Sequence, residues 1–150
     1  GGGYAEYANV KYDMLMPVPE NCSMVEAAAI PEAFATAYLN LFIEGNIKEG
    51  DTLLMNAGAS GLASVIIPMA KAFGIRVITT VLTEEIANNI KHLNADRVVV
   101  TTKEDIAEVL KEEKPLAETI IETFCNQCLQ QFLDYKHTYE KQNNHITINK

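Results

Sequence analysis

The chain has 150 residues, 48% of them hydrophobic and 21% charged, with twelve basic residues against twenty acidic and a net charge of −8. That length suits one domain, the composition is that of a globular protein, and three cysteines fit reduced thiols in a cytoplasm better than a disulfide framework. The acidic excess repels nucleic acids and anionic membranes, no apolar run approaches the roughly 20 residues that span a bilayer, and no secretory signal is visible.

The chain opens on Gly1-Gly2-Gly3-Tyr4 without a methionine and stops two residues after Ile148, as a piece of a longer protein would. Residues 4–18, aromatic and apolar and closed by Pro17 and Pro19, predict one or two short strands and a turn. Ser23 with Glu26 three positions on is a capping-box signature that starts a helix. Pro31 is expected to interrupt that helix, which resumes with Phe34, Ala37, Tyr38, Leu41 and Phe42 at helical spacing and ends at Gly45.

From Thr52 the period changes. TLLM reads as a strand buried on both faces, followed by a small-residue turn and a helix that Gly74 ends. RVITTV is a second strand, and a second helix opens at Thr83 with Glu84 and Glu85 suiting the positive end of its dipole. RVVVT, EDIAEVLKEEK, ETIIETF, LQQFLDYKHTYEKQ and HITIN continue the alternation of strand and helix. Short connectors between such elements give βαβ units, and right-handed crossovers then dictate a parallel sheet with helices on both faces. The expected fold is α/β: a doubly wound, Rossmann-like sheet of about five strands in the order 3-2-1-4-5, with an N-terminal strand and helix appendage.

The first strand-to-helix turn of such a sheet is where dinucleotide pyrophosphates sit, because backbone N–H groups at the helix start face the anion and small side chains let it approach. Against G-x-G-x-x-G, residues 58–63 read Gly58, Ala59, Ser60, Gly61, Leu62, Ala63. Ser60 replaces the second glycine and Ala63 the third, where the pattern tolerates a small residue. A tight βα turn with no ligand would use the same residues, so both meanings stand on the turn alone.

GGGYAEY at the start, AAAIPEAFATAY at 27–38 and GNIKEGDTLLMNAGASGLAS at 45–64 resemble the medium-chain dehydrogenase/reductase superfamily, and within it the zinc-free NADPH:quinone oxidoreductases, the zeta-crystallin-like branch. The resemblance runs over residues 1–80 and is only topological beyond about 105. It implies that residues 1–50 are the last strand region of a preceding barrel domain plus connecting helices, and that 51–150 are a dinucleotide-binding domain shortened at its C-terminus. It further implies NADPH as cofactor, with Gly58 and Ser60-Gly61-Leu62-Ala63 around the pyrophosphate, Thr36 near the nicotinamide and Thr80 facing the adenosine ribose. Thr101 would lie on the adenine side and Phe124 beside the nicotinamide ribose. The partner implied is a small-molecule acceptor, a conjugated carbonyl reduced by hydride, with no catalytic side chain from this segment and with a homodimer as an expected assembly.

Several residues depart from that pattern. No acid closes the second strand at Thr79-Thr80-Val81-Leu82, which argues against ordinary NAD recognition, yet Glu84 and Glu85 stand where similar proteins often carry bases. Pro68 falls inside the first sheet helix, where a kink is expected. Phe124-Cys125-Asn126 is bulkier than the glycine pair of the family, and Thr101 takes a position that is often tyrosine. Cys125 and Cys128 have the spacing of half a zinc site or a redox pair, but Cys22, His92, His137 and His145 are scattered, and ordinary thiols with no metal are the simpler expectation. Two other functions remain open at this stage. One is a non-catalytic Rossmann-like module used for assembly through an unpaired edge strand, and the other an enoyl-thioester reductase of the same superfamily.

Overall fold

The computed structural model describes residues 2–112, 119–121 and 147–149. The chain divides into two units, Gly1–Pro31 and Glu32–Lys150.

In the first unit the expected strands are absent among the described residues. Between Gly2 and Ser23 the chain makes one 3-10 turn, Tyr12–Met14, with the Leu15 amide donating to the Tyr12 carbonyl (3.1 Å), and Tyr4, Tyr7 and Tyr12 are exposed. A lone extended segment has no neighbour to take its amides and carbonyls, so β-propensity alone does not make a strand. The capping box is realised. Ser23 Oγ (2.7 Å) and the Ser23 amide (2.9 Å) donate to the Glu26 carboxylate while the Glu26 amide donates back to Ser23 Oγ (3.3 Å). Those bonds from Ser23 hold the Glu26 carboxyl below its usual range. Helix α1, Met24–Tyr38, runs through Pro31, contrary to the expected break. Pro31 is exposed, so the carbonyl it leaves unpaired can be hydrated rather than buried.

In the second unit α1 passes into a π-helical turn, Leu39–Glu44, which ends at Gly45. Five parallel strands follow: β1 Thr52–Met55, β2 Arg76–Val81, β3 Arg97–Val100, β4 Thr119–Ile121 and β5 Thr147–Asn149. Their order is β3-β2-β1-β4-β5, the order expected for a doubly wound sheet. Helices α2 (Ala63–Ala72), α3 (Glu84–Asn89) and α4 (Ile106–Glu112) connect them. Of the expected elements, the fourth helix (residues 129–142) lies outside the described residues, together with Phe124, Cys125, Asn126, Cys128, His137 and His145.

β1 is the reason for the architecture. All four of its residues are buried. Leu53 and Met55 join Ile66, Ile67, Ala70 and Val77 on one side of the sheet, and Leu54 joins Ile78, Val99 and Leu110 on the other. Alternate residues of a strand point to opposite faces, so a strand that is buried at every position needs helices on both. At the far end of α2, Gly74 (φ +71°) closes a Schellman motif: its amide donates to the Lys71 carbonyl (3.1 Å) and the Ile75 amide to the Ala70 carbonyl (3.0 Å). Pro68 does not break α2, because it and Ser64, whose carbonyl loses its partner, are both on the exposed side. Among the described residues no helix is long and apolar enough to cross a membrane.

Asp96 ties α2 to the sheet by accepting from Lys71 Nζ (2.7 Å) and from the Val77 amide (2.7 Å). Burial alone would raise its pKa, but the Lys71 and Val77 hydrogen bonds and the nearby Lys71 and Arg76 charges outweigh it, and the carboxyl sits below its usual 3.8. A depressed carboxylate stabilises the fold above its unfolded pKa, and that contribution disappears as pH falls through the folded value. Asp96→Asn should therefore lose about 1 kcal/mol at pH 7, modest because the pair is partly exposed, and the gap to wild type should close well below pH 3.8. Urea unfolding of both proteins at neutral and acid pH measures it; an equal gap at both would exclude this role for the charge.

Candidate functional site

The carboxyl end of β1 turns into α2 through residues 56–62, at the centre of the sheet, since β1 lies between β2 and β4. Asn56 leaves the strand buried, at 3% exposure. Ala57 then adopts a left-handed conformation (φ +54°), a strain of about 1 kcal/mol for a residue with a Cβ. The Gly58 amide donates to the Thr80 carbonyl on β2 (2.8 Å), and the Ala57 amide to Thr80 Oγ1 (3.3 Å). A Cβ on Gly58 would overlap Thr79 Oγ1 and crowd its methyl group (3.0 Å) and Ile90 (3.2 Å), so this glycine is required by packing.

Ser60 begins the helix in function. Its amide donates to the Ala57 carbonyl (2.8 Å), its carbonyl accepts from the Ser64 amide (3.1 Å), and its Oγ accepts from the Ala63 amide (3.1 Å). That is N-cap geometry, with Gly61, Leu62 and Ala63 as the first three helical positions and Leu62 already helical (φ −67°, ψ −41°). A helix start leaves four amides over, and the serine satisfies the third helical one. Among the described residues the Gly61 and Leu62 amides have no hydrogen-bond partner. A Cβ built on Gly61 meets nothing within 4 Å. Two unspent N–H groups at the positive end of a ten-residue helix, beside open space, form a place where an anion can accept hydrogen bonds. The residues present therefore fit a phosphate group at this position. Ala63, fully buried and with its amide taken by Ser60, contributes close packing rather than a free donor.

The other strand ends are tied to one another. Thr80 is 4% exposed and its hydroxyl donates to Asn56 Oδ1 (3.0 Å), so its side chain holds the turn and is not turned out toward a ligand. Thr101 is exposed after β3; its amide (2.9 Å) and hydroxyl (3.3 Å) both donate to the Val81 carbonyl. Thr102 Oγ1 donates to the Leu82 carbonyl (2.9 Å). Thr83 caps α3 through the Ile86 amide (3.3 Å), and the Glu84 carboxylate pairs with Lys103 (2.8 Å), whose hydrogen bond and charge hold its pKa low. Thr36 makes its hydrogen bonds along its own helix, to Glu32 (3.4 Å) and, through its carbonyl, from Asn40 (2.8 Å), and none of them reaches the turn. Phe124 lies outside the described residues. Among the described residues no group of three or more His, Cys, Asp or Glu could hold a metal ion.

The structure thus brings together Gly58, Ser60, Gly61, Leu62, Ala63 and Thr80, and adds Asn56 and Ala57, which the glycine pattern passes over. The sequence signal for Asn56 was available: a polar residue directly after Leu53-Leu54-Met55, at the end of a buried strand, must find a partner.

No family model matches the chain. An alcohol dehydrogenase of Geobacillus stearothermophilus is 38% identical over 112 residues, 75% of this chain and 33% of that protein. A quinone oxidoreductase-like protein 2 homolog of Nematostella vectensis is 34% identical over 114 residues, 75% of this chain and 31% of that protein. The chain spans about a third of the length of these curated relatives. Among solved structures, an NAD-dependent alcohol dehydrogenase superposes with a TM-score of 0.79 at 32% identity, over 89% of this chain and 40% of that one. A mycobacterial protein complexed with NADPH superposes with a TM-score of 0.66 at 28% identity, over 76% of this chain and 36% of that one.

The two glycines should respond differently to the same methyl group. Gly58→Ala should destabilise the fold by about 2 kcal/mol through overlap with Thr79, whereas Gly61→Ala should change it by less than about 0.5 kcal/mol. Thermal or urea unfolding of the pair tests this, and a Gly58→Ala protein as stable as wild type would refute the packing role.

Proposed function

We infer that this chain, which belongs to the medium-chain dehydrogenase/reductase superfamily and covers its nucleotide-binding part, holds the pyrophosphate of a nicotinamide dinucleotide on the Gly61 and Leu62 amides. The observation that carries this inference is that these two amides are unpaired at a capped helix start, next to a glycine whose missing side chain leaves open space. Gly58 lets the turn lie against β2, Ser60 fixes the helix start, and the buried Ala63 lets α2 sit close to the sheet.

NADP is favoured over NAD because residues 79–82 contain no Asp or Glu to take the ribose hydroxyls, and Glu84, the next carboxylate, is engaged by Lys103. The similar structures include both an NAD-dependent alcohol dehydrogenase and a protein complexed with NADPH, so the choice rests on these residues. When bound, the nicotinamide supplies hydride. This segment's residues bind and orient the dinucleotide. With a quinone oxidoreductase-like protein among the relatives, the acceptor class we propose for the whole enzyme is a carbonyl conjugated to a double bond, as in a quinone or enone. An enoyl thioester is an electrophile of the same kind.

Titration of NADPH fluorescence against the chain should give saturable binding that is tighter than for NADH. Gly61→Trp places an indole over the two amides without displacing any atom within 4 Å of its Cβ, and should weaken binding at least about tenfold while the protein stays folded. Absence of saturable binding to the wild-type chain would reject this function and favour a Rossmann-like module used for assembly.

A further inference from the structure

We propose that Thr80 is a positioning residue for the phosphate turn: through its hydroxyl and its carbonyl it fixes Asn56, Ala57 and Gly58, and so sets where the Gly61 and Leu62 amides stand. The consequence for nucleotide affinity rests on the function proposed above; the control of the turn does not.

The parallel ladder between β1 and β2 ends at the pair Met55 and Thr79. One residue further on, where Asn56 would pair with Thr80, the chain leaves the strand and Ala57 enters the left-handed region. Thr80 supplies bonds in place of the ladder. Its Oγ1 donates to Asn56 Oδ1 (3.0 Å) and accepts from the Ala57 amide (3.3 Å), and its carbonyl accepts from the Gly58 amide (2.8 Å). Three consecutive residues of the turn thus hang on one residue of the neighbouring strand. Thr80 and Asn56 are 4% and 3% exposed, so water cannot readily replace these bonds.

From Ala57 the constraint passes on through hydrogen bonds. The Ala57 carbonyl accepts from the Ser60 amide (2.8 Å), and Ser60 Oγ accepts from the Ala63 amide (3.1 Å). Gly61 and Leu62 lie between those two anchors. A strained left-handed Ala57 released from Thr80 can relax to negative φ, which rotates its carbonyl and with it the orientation of Ser60. Only a hydroxyl can both donate to an amide oxygen and accept from an amide nitrogen at this position. Valine would fill the same volume and keep the β-branched shape the strand favours, but can do neither.

The test compares wild type, Thr80→Val and Thr80→Ser by amide hydrogen exchange and by NADPH titration. In Thr80→Val the Ala57 amide should exchange at least about tenfold faster and NADPH should bind about tenfold more weakly, the change that one or two lost hydrogen bonds produce. In Thr80→Ser both should return to within about threefold of wild type. The Asp96 amide, which donates to the Val77 carbonyl (2.9 Å), reports on the sheet away from the turn and should keep its wild-type rate in all three proteins. Unchanged Ala57 exchange in Thr80→Val overturns the proposal, as does an equal rise at Asp96, which would mean general loosening. Thr80→Ser behaving like Thr80→Val overturns it too, since the methyl group would then be responsible. A wild-type chain that protects Ala57 but does not bind NADPH refutes the nucleotide function alone and leaves the control of the turn judged by the exchange rates.

Discussion

β1 is buried on both faces, and that single constraint propagates through the second unit. A strand without a wet side cannot leave polar groups unpaired at its end, because no water is there to take them. The chain therefore leaves β1 with each group answered from β2: Met55 by the Thr79 hydroxyl, Asn56 and Ala57 by the Thr80 hydroxyl, Gly58 by the Thr80 carbonyl. Once the turn is committed in this way, the helix that follows starts where Ser60 can cap it, and the two amides left over fall at the middle of the sheet's carboxyl edge. The proposed anion site rests on those two amides.

The same turn contains two glycines with different physical duties. Gly58 is needed because β2 passes too close for a Cβ, which is a demand of folding. Gly61 is not demanded by packing at all, since a side chain there would stand in open space. A small residue that packing does not demand is what the proposed anion site calls for. The net charge of −8 does not oppose this, because exposed charges are screened beyond about 8 Å at physiological salt, whereas helix-start amides act by direct contact.

Beyond the turn, the strand ends are knitted by side chains. Thr101, Thr102 and Lys103 bond to Val81, Leu82 and Glu84, which closes the β2 and β3 connections on each other. Glu84 is thereby a paired charge rather than a bare one. The helix that begins there is capped by Thr83 and runs only from Glu84 to Asn89, before a 3-10 turn and a left-handed Asn94 bring the chain back to β3.

Much of this was legible in the amino-acid order. The apolar run Leu53-Leu54-Met55, the alternation of strand and helix and the handedness of crossovers fixed a parallel, two-sided sheet and its order, because those rules act locally and admit few alternatives. Ser23 with Glu26, and Gly74 after α2, marked helix ends because caps are made by neighbours in sequence. What sequence order could not decide were the matters set by distant partners. Residues 4–18 have the composition of strands but no neighbour to pair with among the described residues, and the prolines at 31 and 68 are tolerated because each faces solvent. Thr80 looked like a residue turned toward a ribose and is instead folded under the turn. Whether a hydroxyl points at a ligand or at Asn56, 24 positions earlier in the chain, depends on which strands lie side by side. Only the tertiary structure decides that, since a hydrogen bond is made across space and leaves no periodicity in the sequence.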